Sequence, residues 1–161
     1  MGILDLEGKK PMMQAVVMTR AGEPQVLQLQ TVPKPQIQQP QELLVRLKAA
    51  GINPIDTKLR KRGSFYRDLH PTILGCDGAG IIEAVGPGVQ RFQLGEAVYF
   101  CHGGLGGPIG NYGEYAVVDE RWVAPKPQSL SFAEAAAAPL VLITAWEALY
   151  DRARLQKMIR P

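Results

Sequence analysis

Thiols and imidazoles are scarce in this chain: two cysteines, Cys76 and Cys101, and two histidines, His70 and His102, among 161 residues. Two thiols do not make a disulfide framework. Long apolar runs are missing as well. Nothing approaches the roughly 18 uninterrupted apolar residues that span a bilayer as a helix, so no membrane partner is expected. The first residues lack the charged-then-apolar layout of a secretory signal, and a cytoplasmic location is expected. The charge excess is small, 18 Lys and Arg against 15 Asp and Glu, giving a net charge of +3. That is too little to imply a nucleic-acid partner. Internal repeats are absent too. A dinucleotide fingerprint needs Gly-x-Gly-x-x-Gly after a strand and opening a helix. The one glycine-rich candidate, residues 103–113, contains Pro108 and runs into a strand, so it is not such a loop.

What is present favours a loop-rich β fold. Hydrophobic residues make up 46% of the chain, and 17 glycines and 13 prolines sit between apolar runs rather than in low-complexity tracts. One ordinary core plus an appendage fits this length. Residues 1–12 read as a flexible leader. The pattern predicts strands over 13–19 and 26–32, the second alternating apolar and polar, with a turn at 20–24 between them. Pro33, Pro35 and Pro40 then enforce an extended connection. A core strand is expected over 42–50, ending at Gly51.

Asn53 and Pro54 start a turn, and Asp56 is expected to cap the short helix that follows. Lys58, Arg60, Lys61, Arg62 and Arg67, with Phe65 and Tyr66 among them, read as a solvated basic loop. Glycines 75, 78, 80, 86 and 88 bracket the apolar run Ile81–Ile82, the pattern of a strand entering and leaving tight turns. Gly95 turns into a strand over 97–100, and further strands are expected over 112–118 and 122–127.

From residue 129 the character changes. Ser131 and Glu134 form a capping box, and the alanines 135–138 favour helix. Pro139 suits the first turn of a second helix, along which Leu142, Trp146, Leu149 and Ala153 recur at helical spacing. A catalytic zinc needs three protein ligands and one open position. The available donors, Cys76, Cys101, His70, His102 and Asp77, show no recognised spacing, and Cys101 and His102 are adjacent, so they are poorly placed to converge on one ion.

The stretch Gly75–Gly88 resembles the G-H-E-x-A-G-x-V-x-x-V-G signature of zinc-dependent alcohol dehydrogenases and their medium-chain relatives, with Cys76 and Asp77 in place of the His and Glu. Residues 13–35 resemble the opening of quinone oxidoreductase-like proteins. The segment Asn53–Thr57 lacks the cysteine of zinc-dependent members and is similar to the zinc-independent quinone oxidoreductases. Residues 135–149 resemble the hinge that leads into their nucleotide-binding domain. The chain is thus identified as resembling the N-terminal, GroES-like catalytic domain of a zinc-independent medium-chain dehydrogenase/reductase of the quinone oxidoreductase (zeta-crystallin) kind.

That resemblance implies a mainly β fold: a partly open antiparallel barrel with short helices over 13–130, then hinge helices over 131–161. The Rossmann domain of the family is expected to lie outside this chain. It implies hydride transfer from NADPH to quinones or activated carbon–carbon double bonds, without zinc. Asn53 would serve catalysis and face the nicotinamide, Thr144 would lie beside the same end of the cofactor, and Asp56, Lys58 and Cys76 would line the substrate cleft. Lys58 stands where the family often has tyrosine. Alone, the chain is expected to be inactive and to hold NADPH only weakly. Its expected partner is the missing nucleotide-binding half, and exposed hinge helices are expected to favour self-association. Two alternatives stay open: a zinc-type alcohol dehydrogenase with unorthodox ligands, and a non-enzymatic GroES-like protein-binding barrel.

Overall fold

A computed structural model describes residues 11–63, 71–105 and 109–156. Residues 1–10 of the leader, His70, the 65–67 part of the basic loop, Pro108 and residues 157–161 lie outside the described residues, and the expected leader over 1–12 gives way to a strand at Met12. Among the described residues eight strands, all paired antiparallel, form two sheets. They are β1 (Met12–Met18), β2 (Leu27–Pro33), β3 (Glu42–Ala50), β4 (Thr72–Ile73), β5 (Asp77–Val85), β6 (Ala97–Cys101), β7 (Tyr115–Asp119) and β8 (Val123–Pro125). The smaller sheet runs β2-β1-β4 and the larger β7-β3-β5-β6-β8.

The turn before β7 stitches the two sheets together. Val16 N–H donates to the Tyr112 carbonyl at 2.7 Å, Glu114 N–H to the Gln14 carbonyl at 3.0 Å, and Leu47 N–H to the Glu114 carbonyl at 2.8 Å. A curled, partly open barrel results, as the sequence predicts. β3 and β5 make its spine. Their register shifts between Leu44 and Val45 and again between Leu47 and Ala49. Extra residues of this kind kink and twist a strand pair. The first shift leaves Glu83 unpaired in the ladder, and its carboxylate takes the Lys34 ammonium.

Leu43, Val45, Ile82, Val98, Phe100, Val118 and Val123 bury together as the main core. Gly80 is needed where β5 crosses β3, because a Cβ there would lie 2.3 Å from the Arg46 carbonyl oxygen. The strand expected over 112–118 begins only at Tyr115, since residues 110–112 instead bond along 73–75: Gly110 N–H to Ile73, Asn111 N–H to Gly75 and Tyr112 N–H to Leu74. The same contacts hold the two-residue β4, too short to show in the sequence pattern.

Helix α1 (Pro54–Arg62) follows Gly51. Its N-cap is Asn53, and Asp56 sits in the first turn with its carboxylate receiving the Asn53 N–H at 2.7 Å. This corrects the expectation that Asp56 is itself the cap. A side chain at the third helical position reaches back to the cap residue, leaving the residue before Pro54 extended. Helix α2 (Phe132–Ala136) opens on the expected box: Glu134 N–H donates to Ser131 Oγ at 3.2 Å, and Ser131 N–H to Glu134 Oε2 at 2.8 Å. Helix α3 (Pro139–Trp146) begins at Pro139 as expected. Beyond it residues 147–152 widen into a π-helical turn, so the helical spacing through Leu149 and Ala153 does not continue as one α-helix. Leu142, Trp146 and Leu149 are all exposed.

Candidate functional site

Three chain segments meet at the open end of the β3–β5–β6 strands. Gly51 ends β3 and donates its N–H to the Asp77 carbonyl at 3.1 Å. A Cβ on Gly51 would lie 2.4 Å from the Ala136 carbonyl oxygen and 2.9 Å from Asp77 Cβ. Glycine here lets the end of α2 pack directly onto the start of β5. Gly75, at φ +92, turns the chain into β5; a Cβ on it would lie 2.4 Å from the Tyr112 ring. Only glycine tolerates both the left-handed backbone and that approach.

The buried side chain of Asp77 is the centre of the site. Its Oδ2 accepts from Asn53 Nδ2 at 2.9 Å and its Oδ1 from the Leu140 N–H at 3.1 Å. One carboxylate thereby joins β5 to the N-termini of α1 and α3. Burial pushes the Asp77 carboxyl above the usual carboxylate range, although the bonds from Asn53, Cys101 and Leu140 act the other way. Asn53 Nδ2 also points at Cys76 Sγ, 3.7 Å away. Cys76 is held below the usual thiol range, first by the hydrogen bond from Cys101, with burial opposing. The Cys101 thiol is correspondingly pushed up, by that same bond and by burial.

A second buried carboxylate lies alongside. Asp56 Oδ2 accepts from Tyr112 Oη at 2.8 Å as well as from Asn53 N–H, while its Oδ1 is buried with no partner among the described residues. Burial, with the bond to Asp56, raises the Tyr112 hydroxyl well above its ordinary pKa. Among the described residues, the hydrogen bonds to the Asp56 and Asp77 carboxylates come from neutral donors.

Of the residues singled out in the sequence, Asn53, Asp56 and Cys76 come together. Thr144 lies one turn along α3 from Leu140, on an exposed position, with its hydroxyl donating to the Leu140 carbonyl at 2.8 Å. Lys58 is exposed on α1, on a different face from the buried Asp56 and Leu59, and does not join the cluster. Asp77 and Cys101, which the sequence offers only as metal donors without a recognised spacing, and Tyr112, which it places in a strand, are all integral to the site. Strand pairing supplied the missing signal: Cys101 faces Asp77 in the β5–β6 register. His102 points elsewhere. It lines a cavity of about 270 Å³ with Pro35, Glu42 and Tyr115, and burial depresses its pKa.

The sulfurs of Cys76 and Cys101 and a carboxylate oxygen of Asp77 lie within 4.8 Å of one another. Adjacent Cys101 and His102 need not converge, because β5 brings Cys76 and Asp77 to Cys101. The donor count meets what a catalytic zinc requires. The bonding does not fit as it stands: Asn53 Nδ2 aims its hydrogens into this cluster, at Asp77 and Cys76. A cation would have to displace that amide.

Residues 39–128 match the alcohol dehydrogenase GroES-like domain. The chain is 36% identical over 146 residues to quinone oxidoreductase of Rattus norvegicus, covering 89% of this chain and 42% of that protein. It is 37% identical over 144 residues to the chloroplastic NADPH-dependent alkenal/one oxidoreductase of Arabidopsis thaliana, covering 85% of this chain and 37% of the other. Among solved structures, quinone oxidoreductase from Coxiella burnetii superposes with a TM-score of 0.82 at 30% identity, over 91% of this chain and 47% of that one. The chain spans about two-fifths of the length of these curated relatives.

Proposed function

The chain belongs to the alcohol dehydrogenase GroES-like domain family, and from that premise we propose that it is the catalytic-domain portion of an NADPH-dependent oxidoreductase that reduces quinones or activated carbon–carbon double bonds without zinc. The barrel, residues 13–130, carries the cleft, and the helices from 131 onward are the hinge toward a nucleotide-binding half. NADPH, when bound, supplies the hydride.

The observation that carries this reading is the orientation of Asn53. Its amide is fixed by Asp77 at 2.9 Å, while the contact to Cys76 is a weak one at 3.7 Å. The hydrogen facing Cys76 is the one that a substrate oxygen can take over. A preorganised donor aimed at developing negative charge polarises a carbonyl as a metal would, and one such donor is worth about 10²–10³ in rate. Asp77 therefore positions, and Asn53 donates. In this reading Cys76 and Asp56 flank the Asn53 amide and Thr144 on the hinge helix faces the nicotinamide, while Lys58, exposed on another face of α1, takes no part.

The 161-residue chain alone is not expected to turn over. Among the described residues no glycine-rich turn opens a helix that could hold a pyrophosphate. Supplying a nucleotide-binding half as a separate chain should restore quinone-dependent NADPH oxidation. Saturable NADPH oxidation by the pure chain, lost on Asn53→Ala or Thr144→Val, would contradict this.

One observation favours a second reading, a metal-assisted dehydrogenase: the convergence of Cys76, Asp77 and Cys101. Elemental analysis separates the two. About one tightly held zinc per chain, resistant to mild chelation, would replace the zinc-independent reading.

A further inference from the structure

Cys76 and Cys101 are the chain's full complement of cysteine, and the fold sets them side by side. Cys101 ends β6 in register with Asp77, and the next residue, His102, donates its N–H to the Cys76 carbonyl at 2.7 Å. The two cysteines are diagonal neighbours across one strand pair. Both are free, and their sulfurs lie within 4.8 Å of one another. Cys76 is buried, whereas Cys101 is partly exposed and lines a cavity of about 200 Å³ with Tyr99, Trp122, Pro139 and Leu142. The reduction proposed above consumes neither thiol.

We propose that Cys76 and Cys101 are a modification site, a dithiol that a small peroxide converts to an intramolecular disulfide. The residue that faces Cys101 is Asp77, and Cys76 lies one position off; the sulfurs nevertheless lie within 4.8 Å of one another, so side-chain rotation with a small backbone adjustment can bring them to bonding distance. The cavity beside Cys101 gives a peroxide its approach.

The steps balance. A thiolate of the pair attacks one peroxide oxygen; the O–O bond breaks, and the departing oxygen takes up a proton and leaves as water. The sulfenic acid formed is attacked by the second sulfur. The S–S bond forms, the S–O bond breaks, and the hydroxyl leaves as water with the second thiol's proton. Two thiols are oxidised to one disulfide and one peroxide is reduced to two waters, with no other reactant. The product removes the Cys101 thiol hydrogen from Asp77 and Cys76, so the oxidised and reduced sites differ directly beside Asn53.

The test treats the folded, fully reduced chain with hydrogen peroxide, alkylates remaining thiols after denaturation, and reads intact mass and peptide map. The expected result is a monomer lighter by two hydrogen atoms, with no thiol left to alkylate. A peptide containing Cys76 should be linked to one containing Cys101, and dithiothreitol should reverse the link. Cys76→Ser and Cys101→Ser should instead gain oxygen on the remaining sulfur or stay alkylatable. Overoxidation of one wild-type sulfur without a link, disulfides between chains only, or a link formed solely by the unfolded chain would each overturn the proposal.

Discussion

Asn53 Nδ2 donates to Asp77 Oδ2 at 2.9 Å, and the other oxygen of the same carboxylate takes the Leu140 N–H. The bond ties the start of α1 to the start of β5, and the carboxylate extends the tie to α3. Asn53 at the start of α1 and Leu140 at the start of α3 thus share one buried anchor.

Asp77 should make stability depend on pH in an unusual sense for an aspartate. Its folded pKa is raised, mainly by burial. A raised pKa means the contribution is fully present below the unfolded carboxylate pKa and is lost as pH rises through the folded value. Urea midpoints of the wild type and Asp77→Asn should therefore diverge with pH. The wild type should lose ground to the variant as pH rises from the ordinary carboxylate range through the raised value. A difference that does not change with pH would show that Asp77 titrates as it does unfolded.

Tyr112→Phe should destabilise the fold by about 1–3 kcal/mol, the cost of leaving a buried group short of a partner. Asp56 already has one oxygen without a partner among the described residues, and this variant removes the Tyr112 Oη donor from the other. Urea denaturation measures it. A change below about 0.5 kcal/mol, within the usual surface range, would mean that water replaces the hydroxyl.

The two glycines Gly80 and Gly95 should rank in a set order. An alanine at Gly80 puts its Cβ 2.3 Å from the Arg46 carbonyl oxygen, backbone that cannot move without parting β5 from β3. Gly95 has φ +87 but open space around it. Gly95→Ala should cost roughly 1 kcal/mol, the strain of a left-handed backbone, and Gly80→Ala distinctly more. Thermal melts giving the reverse order would contradict the packing of the two strands.

Much of this architecture was legible from residues alone. The strand at 42–50, the capping box at Ser131 and Glu134 and the helix start at Pro139 each rest on local rules, alternation, side-chain capping and proline at the first turn, that need no tertiary information. The site was only half legible. Asn53 and Cys76 stood out because they replace expected ligands, whereas Tyr112 and Cys101 reach the site through strand register and through the run of 110–112 along 73–75. Neither arrangement has a local signature. Reading Asp56 as the cap failed for a related reason: Asn53 and Asp56 are both cap-type residues, and only the backbone assigns which precedes the helix.

Asn53→Ala should lower quinone reduction by about 10²–10³ when the chain is joined to a nucleotide-binding half, the effect of deleting one preorganised donor. Steady-state kcat and KM separate this from weakened binding, since the loss should fall on kcat. Thr144→Val should leave stability within about 0.5 kcal/mol, because the position is exposed. A kcat unchanged by Asn53→Ala would remove the amide from the mechanism.

The most direct measurement grafts this barrel and hinge onto the nucleotide-binding half of a quinone oxidoreductase and follows NADPH oxidation with benzoquinone before and after chelation, with zinc quantified in the same sample. The expected result is quinone-dependent turnover that survives chelation, with zinc well below one per chain. Turnover that disappears with the chelator and returns on adding zinc would contradict the zinc-independent site built around Asn53.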